Sequence, residues 1–290
     1  MPAVFRPRRS LLYLPASNPR ALEKARGLPA DGLIIDVEDA VATEAKEAAR
    51  AIAAAALAAG GYAPRELVLR VNPLDSPWGH ADLAAAATMP IDAVLLPKIE
   101  SADRVRLTVS LLDALGAAES LAVWCMIETP RGVLTVQEIA AASPRLAALV
   151  LGTSDLTKEL HALSTRDRLP LVTALGLAVL AARAHGLAIL DGVHLDLADD
   201  EGFAFSCRQG RELGFDGRTL IHPKHRAGQH CLRAQRGGDR MVAPGHRRAC
   251  RGHRRRQGYR AARRQADRKP SCRECAAARG TRRGNRPALG

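Results

Sequence analysis

Two acidic residues of the sequence, Glu128 and Asp155, have a setting that suits a divalent-cation site. Each follows a short apolar run, Ala-Val-Trp-Cys-Met-Ile before Glu128 and Ala-Leu-Val-Leu-Gly-Thr-Ser before Asp155. If these runs are neighbouring parallel strands, about 4.8 Å apart, their carboxyl ends bring both side chains to one edge. Two carboxylates, completed by water and substrate, suit Mg²⁺. The alternative interpretation is that both acids are solvated loop residues or ion-pair partners.

Arg70 ends another apolar run, Leu-Val-Leu, where an unpaired guanidinium would be unfavourable. Its planar fork matches a carboxylate in a bidentate way. The partner is either an anionic substrate or one of the acids that end the preceding run, Asp36, Glu38 and Asp39. The sequence leaves both interpretations open, and they are compatible with each other.

Lys98 closes the run Leu-Leu-Pro-Lys at a similar position. A lysine buried there could form a Schiff base with a keto acid. The interpretation that we favour is an ion pair with Glu128 or Glu38.

These residues stand at the ends of eight apolar runs, which alternate with Ala- and Leu-rich segments of helical character. The runs start about 22 to 41 residues apart, the length of a strand with its covering helix. Several are almost continuously apolar, as strands buried on both faces require. The pattern predicts an α/β fold, a closed (β/α)8 TIM barrel with its active site at the carboxyl ends of the strands. The predicted strands are Ser10–Ala16, Gly32–Asp39, Glu66–Asn72, Ala93–Glu100, Leu121–Glu128, Leu146–Asp155, Leu187–Asp196 and Phe215–Pro223.

The net charge of +13 over 290 residues is concentrated at one end of the chain. Residues 225–290 contain 20 basic and 3 acidic residues, against 23 basic and 27 acidic in residues 1–224. The segment also lacks aliphatic periodicity, which predicts a disordered basic tail after a catalytic domain of residues 1–224. The abrupt change suggests a reading-frame shift near codon 225, which the nucleotide sequence would test. Such a shift would leave the last barrel helix defective.

No part of the sequence suggests export or a membrane span. The apolar stretch Leu171–Ala182 has about 12 residues, fewer than the roughly 20 that a spanning helix needs. We therefore expect a cytoplasmic protein.

Seven segments between residues 12 and 223, in order, resemble the citrate lyase β subunit and related CoA-ester lyases, of the aldolase superfamily that includes malyl-CoA and citramalyl-CoA lyases. They are Leu-Tyr-Leu-Pro-Ala-Ser-Asn-Pro-Arg-Ala-Leu-Glu-Lys-Ala (12–25), Asp-Val-Glu-Asp-Ala-Val (36–41), Arg-Val-Asn (70–72), Leu-Pro-Lys-Ile-Glu (96–100), Glu-Thr-Pro-Arg-Gly (128–132), Gly-Thr-Ser-Asp-Leu (152–156) and Gly-Phe-Asp-Gly-Arg-Thr-Leu-Ile-His-Pro (214–223).

The resemblance implies a role for each candidate residue. Glu128 and Asp155 match Mg²⁺ ligands, and Arg70 matches the residue that holds keto-acid oxygens. Asp36, Glu38 and Asp39 match acids that orient Arg70 and metal-bound water. Gly132 matches a position whose backbone amides face a substrate carboxylate. Arg20 and Lys24 match residues that contact CoA phosphates.

The implied function is a Mg²⁺-dependent carbon–carbon lyase that cleaves a citryl-, malyl- or citramalyl-CoA-like thioester into a keto acid and acetyl-CoA. Relatives assemble as trimers or hexamers, and their region after residue 224 lids a neighbouring site and supplies an aspartate proton donor. Residues 225–290 lack that pattern, so activity and assembly are expected to be impaired. The alternatives are a pyruvate-type class II aldolase, or an inactive barrel whose basic tail binds polyanions such as nucleic acid nonspecifically.

Overall fold

The computed structural model describes residues 6–225 and contains a closed barrel of eight parallel strands in sequential order. The strands are β1 Ser10–Pro15, β2 Gly32–Asp36, β3 Glu66–Arg70, β4 Ala93–Leu96, β5 Ala122–Ile127, β6 Leu146–Leu151, β7 Ala188–Asp191 and β8 Gly217–Leu220. Pairing of β1 with β8 closes the barrel. The predicted barrel is confirmed, and each strand lies within its predicted apolar run.

Helices connect the strands as the alternating pattern predicted. They are α1 Pro19–Ala25, α2 Lys46–Ala58, α3 Gly79–Ala86, α4 Ala102–Ala114, α5 Pro130–Leu134, α6 Val136–Ala140, α7 Thr153–Glu159, α8 Val172–Ala184 and α9 Asp200–Leu213. Side-chain caps start several of them: Asn18 accepts from the N–H of Ala21, and Ser101 accepts from that of Arg104. Such caps satisfy backbone donors that have no partner inside the helix.

The barrel interior is a separate core, because alternate residues of each strand face inward. It consists of Leu11, Ile34, Val68, Ala93, Leu95, Trp124, Met126, Ala148, Val150 and Leu190. Two residues further along β1, β2 and β3, the next inward positions are occupied by Tyr13, Asp36 and Arg70. Polar side chains therefore begin where the apolar filling ends, at the carboxyl end of the barrel.

A larger core fills the space between the strands and the helices, with members such as Leu33, Leu69 and Leu175.

None of the helices between residues 6 and 225 has the length and hydrophobicity that a membrane span requires. The predictions about the last barrel helix and the basic tail fall on residues outside the described part of the chain, apart from His225.

Candidate active site

Glu128 and Asp155 follow two strands that pair with each other. Ile127 at the end of β5 lies opposite Leu151 at the end of β6. Glu128 comes next after β5, and Asp155 lies in the first turn of α7, after β6. Glu128 is 2% exposed and accepts a 2.8 Å hydrogen bond at Oε1 from the main-chain N–H of Lys98. The two predicted metal ligands thus stand at the ends of adjacent strands, and their ligand role stays a prediction.

Gly152 makes room for the Glu128 side chain. A Cβ at Gly152 would overlap both Oε2 and Cβ of Glu128. Gly152 directly follows β6 and is the next inward-facing position after Val150. The absence of a side chain there leaves space for the Glu128 carboxylate.

The donor set at this position fits Mg²⁺. Burial raises the pKa of Glu128 to about 7, against the opposing effects of the Lys98 N–H and the Arg70 charge. A divalent cation beside it would favour the charged carboxylate. Across residues 6–225, no group of three or more His, Cys, Asp or Glu side chains forms a metal site. Oxygen donors from two acids, with vacant positions for water and substrate, are what Mg²⁺ commonly takes.

Arg70 and Asp36 form a buried bidentate ion pair. Their positions are paired in the β2–β3 register, and Arg70 donates from Nε and Nη2 to Asp36 at 2.8 and 2.5 Å. Asp36 also accepts from the main-chain N–H groups of Glu38 and Ala40, and it is fully buried. Both oxygens of Asp36 therefore have partners within the protein, and the acid fixes the orientation of Arg70.

The remaining nitrogen of Arg70, Nη1, contacts Glu38 and the sulfur of Met126. Nη1 lies 3.0 Å from Oε2 of Glu38, and the guanidinium lies 4.8 Å from the centroid of the Tyr13 ring. Burial opposes the charge on Arg70, but Asp36 outweighs it, so the pKa of Arg70 is well above its ordinary value. Arg70 is thus a fixed cation in a largely dry setting. The structure shows the ion pair with Asp36 and Glu38, one of the two interpretations that the sequence left open. Substrate binding by Arg70 stays a prediction.

Lys98 brings the acids of two different strands together. Its ammonium lies 3.1 Å from Glu38 and 3.6 Å from Asp155, which confirms the favoured ion pair with Glu38. Burial would lower the pKa of Lys98, but Glu38 and Asp39 raise it, and the net direction is upward. Because a protonated amine is not a nucleophile, the ion pairs that keep Lys98 protonated argue against an imine at this position.

Gly132 lies in α5, and its N–H donates to Oγ1 of Thr129 at 3.0 Å. A Cβ at Gly132 would lie 2.5 Å from the carbonyl oxygen of Ile99, so glycine allows the close approach of two backbones. Arg20 and Lys24 are exposed, one turn apart on α1. The substrate and CoA roles of these three residues stay predictions.

Tyr13 and Gly152 are site features that the sequence reasoning missed. Tyr13 is half-buried and its hydroxyl lies 3.7 Å from Sδ of Met126, under Arg70. The signal was present in the alternation of β1, where Tyr13 shares a face with the inward-facing Leu11.

The chain matches the HpcH/HpaI aldolase/citrate lyase family over residues 9–223. It is 48% identical over 217 residues to a (3S)-malyl-CoA thioesterase of Cereibacter sphaeroides, with 75% of this chain and 74% of that protein covered. It is 35% identical over 225 residues to the citrate lyase subunit beta of Leuconostoc mesenteroides subsp. cremoris, covering 75% and 74%. CitE from Mycobacterium tuberculosis in complex with magnesium, acetoacetate and coenzyme A superposes with a TM-score of 0.67 and 32% identity, over 79% of this chain and 82% of that chain. These matches confirm the resemblance indicated by the seven motifs.

Proposed function

Because the chain belongs to the HpcH/HpaI aldolase/citrate lyase family, we propose that it is a Mg²⁺-dependent enzyme for a short hydroxyacyl thioester of coenzyme A. The observation that carries the proposal is the position of Glu128 and Asp155 at the ends of β5 and β6, beside the buried cation Arg70. The relative that binds magnesium, acetoacetate and coenzyme A supports the same ligand chemistry for this chain.

Each residue of the site has one task in this proposal. Glu128 and Asp155 hold the cation, and Arg70 holds a carboxylate of the acid, with its direction set by Asp36. Glu38 keeps Arg70 and Lys98 in place through its ion pairs with both. Bound Mg²⁺ supplies a Lewis acid that stabilises charge developing on a substrate oxygen. Arg20 and Lys24 supply positive charge for the phosphates of coenzyme A.

The reaction that we propose first is cleavage of a carbon–carbon bond. The hydroxyl group of the substrate loses its proton to a base, the bond to the neighbouring CH₂ breaks, and an oxo acid leaves. The acetyl-CoA enolate then takes up one proton and becomes acetyl-CoA. The fixed position of Arg70 supports this step, because a cation held in place before the reaction can stabilise negative charge on the substrate without reorganising.

Thioester hydrolysis is the second candidate reaction. It is favoured by the 48% identity to a (3S)-malyl-CoA thioesterase. Water then attacks the thioester carbonyl, the C–S bond breaks, and the products are the free hydroxy acid and the thiol of coenzyme A. The substrate is the same as in the first reaction, but the broken bond differs.

One assay of the full chain separates these reactions. (3S)-malyl-CoA, citryl-CoA and citramalyl-CoA are incubated with Mg²⁺, and acetyl-CoA, oxo acid and free thiol are measured. Acetyl-CoA with an equal amount of oxo acid indicates the lyase, whereas free thiol with hydroxy acid indicates the thioesterase. Excess chelator should abolish either reaction. Turnover of pyruvate-derived aldols without any CoA thioester would favour the class II aldolase, and no turnover of any thioester would overturn the proposal.

A further inference from the structure

Lys98 contacts both proposed metal ligands, one through its main chain and one through its side chain. Its N–H donates to Oε1 of Glu128 at 2.8 Å, and its ammonium lies 3.6 Å from Oδ2 of Asp155. The same ammonium lies 3.1 Å from Glu38 and 3.8 Å from Asp39. A single positive charge is therefore shared among three carboxylates, one of which is the proposed metal ligand Asp155.

The backbone of Lys98 is held in an unusual conformation. Its φ is 50°, in the left-handed region that a β-carbon disfavours. In this conformation the N–H meets Glu128 while the side chain reaches Glu38 and Asp155. Such strain persists only where the surroundings fix it, and it is commonest at functional sites.

We propose that Lys98 is a built-in counter-ion that keeps the protein's own affinity for Mg²⁺ low until an oxo acid is bound. This inference rests on the proposed Mg²⁺ site at Glu128 and Asp155. The ammonium and the divalent cation share Asp155 as a partner, and two positive charges this close repel each other strongly in a partly buried setting. Lys98 is 40% exposed at its side chain, so it can move toward Glu38 and Asp39 when the cation binds.

A bound oxo acid offsets the competition between the Lys98 ammonium and Mg²⁺ in two ways. Mg²⁺ prefers six oxygen ligands, and the described part of the chain offers it two carboxylates and no larger group of acidic or His/Cys ligands. A 2-oxo acid supplies further oxygens, and its negative charge compensates the ammonium. Mg²⁺ and the acid should therefore each strengthen the binding of the other by the same factor.

Calorimetry on the full chain tests this coupling, with Mg²⁺ titrated in the absence and presence of saturating pyruvate. Pyruvate should tighten Mg²⁺ binding to the wild type at least about tenfold. Lys98→Met removes the ammonium and should bind Mg²⁺ alone about tenfold more tightly than the wild type, with a smaller effect of pyruvate. Lys98→Arg keeps the charge and should resemble the wild type. Both variants keep the N–H to Glu128 and a β-carbon at position 98, so the backbone is matched.

The outcomes separate this inference from the proposed function. If the wild type binds Mg²⁺ and Glu128→Gln abolishes that binding, but Lys98→Met binds no more tightly, the counter-ion role is wrong while the metal site stands. Weaker binding by both position-98 variants would likewise overturn it, since that result indicates only a packing role. If the wild type binds no Mg²⁺ with pyruvate present, or Glu128→Gln binds it unchanged, the proposed metal site itself is wrong.

Discussion

The side chain of Glu128 occupies the space that a Cβ of Gly152 would fill, because the two residues face each other at the ends of β5 and β6. Gly152→Ala must therefore displace the Glu128 carboxylate. A shift of about 1 Å in a catalytic group can lower turnover about 100-fold, and we expect at least that loss in kcat/KM for the CoA thioester. Calorimetry should show a parallel loss of Mg²⁺ affinity.

Gly176→Ala is the matched control for this substitution. Gly176 lies inside α8, and nothing stands within 4 Å of its potential Cβ beyond the helix itself. Alanine should stabilise the protein by about 0.5–1 kcal/mol, measured by urea unfolding, and leave turnover unchanged. Equal activity of the two alanine variants would contradict the proposed position of Glu128 as a metal ligand.

Removing either proposed metal ligand should abolish the response to Mg²⁺. Glu128→Gln and Asp155→Asn keep the size of the side chains but remove the charges, and we expect kcat/KM to fall about 1,000-fold, because Mg²⁺ contributes several kcal/mol to such reactions. Activity is measured across a Mg²⁺ titration. Asp103→Asn, at an exposed ion pair on α4, is the control and should follow the wild-type curve. A wild-type Mg²⁺ response from either ligand variant would refute the assignment.

The buried Arg70–Asp36 pair should be important for folding as well as for substrate binding. Asp36→Ala leaves the Arg70 guanidinium without its bidentate partner and also removes the acceptor for the N–H groups of Glu38 and Ala40. We expect a loss of about 3–5 kcal/mol in the free energy of unfolding, measured in urea.

Asp103→Ala supplies the comparison for this pair. Its partner Arg106 is exposed, and such surface pairs contribute about 0–1 kcal/mol. If Asp36→Ala and Asp103→Ala lowered the free energy of unfolding by the same small amount, Asp36 would have no special structural role.

A pH dependence of stability should come from two histidines beside α9. The rings of His194 and His225 lie 5.6 Å apart, and both pack against Phe203. Burial lowers the pKa of both groups from their ordinary value of 6.5. The facing charges of Arg218 and Lys224 act in the same direction, and Asp196, Asp199 and Asp200 oppose it only partly.

The sign of this effect follows from the lowered pKa values. The folded state binds protons less well than the unfolded state, so the stability contributed by the neutral rings is present above pH 6.5 and is lost as the pH falls below it. Urea unfolding from pH 7.5 to 5 should show this loss, and His194→Gln should reduce it. His80→Gln, at an exposed position on α3, is the control. An unchanged pH slope for His194→Gln would exclude its contribution.

The sequence alone determined the barrel and the neighbourhood of the two acids. Eight almost continuously apolar runs, separated by helical segments, leave few ways to bury strands except a parallel barrel with helices outside. Once strand order follows chain order, Glu128 and Asp155 must follow adjacent strands. These features depend on local periodicity and chain connectivity, and both are properties of the linear sequence.

Only the tertiary structure decided how the side chains pair across strands. The sequence left open whether Arg70 meets a substrate anion or one of the acids after the preceding apolar run, and the β2–β3 register placed Asp36 directly opposite the arginine. The contacts of Lys98 with Glu128 and Asp155 depend on its left-handed backbone, and the space for Glu128 beside Gly152 depends on the closeness of β5 and β6. Such contacts arise from strand register, stagger and close packing, which join residues far apart in the chain and leave no periodic signal in the sequence.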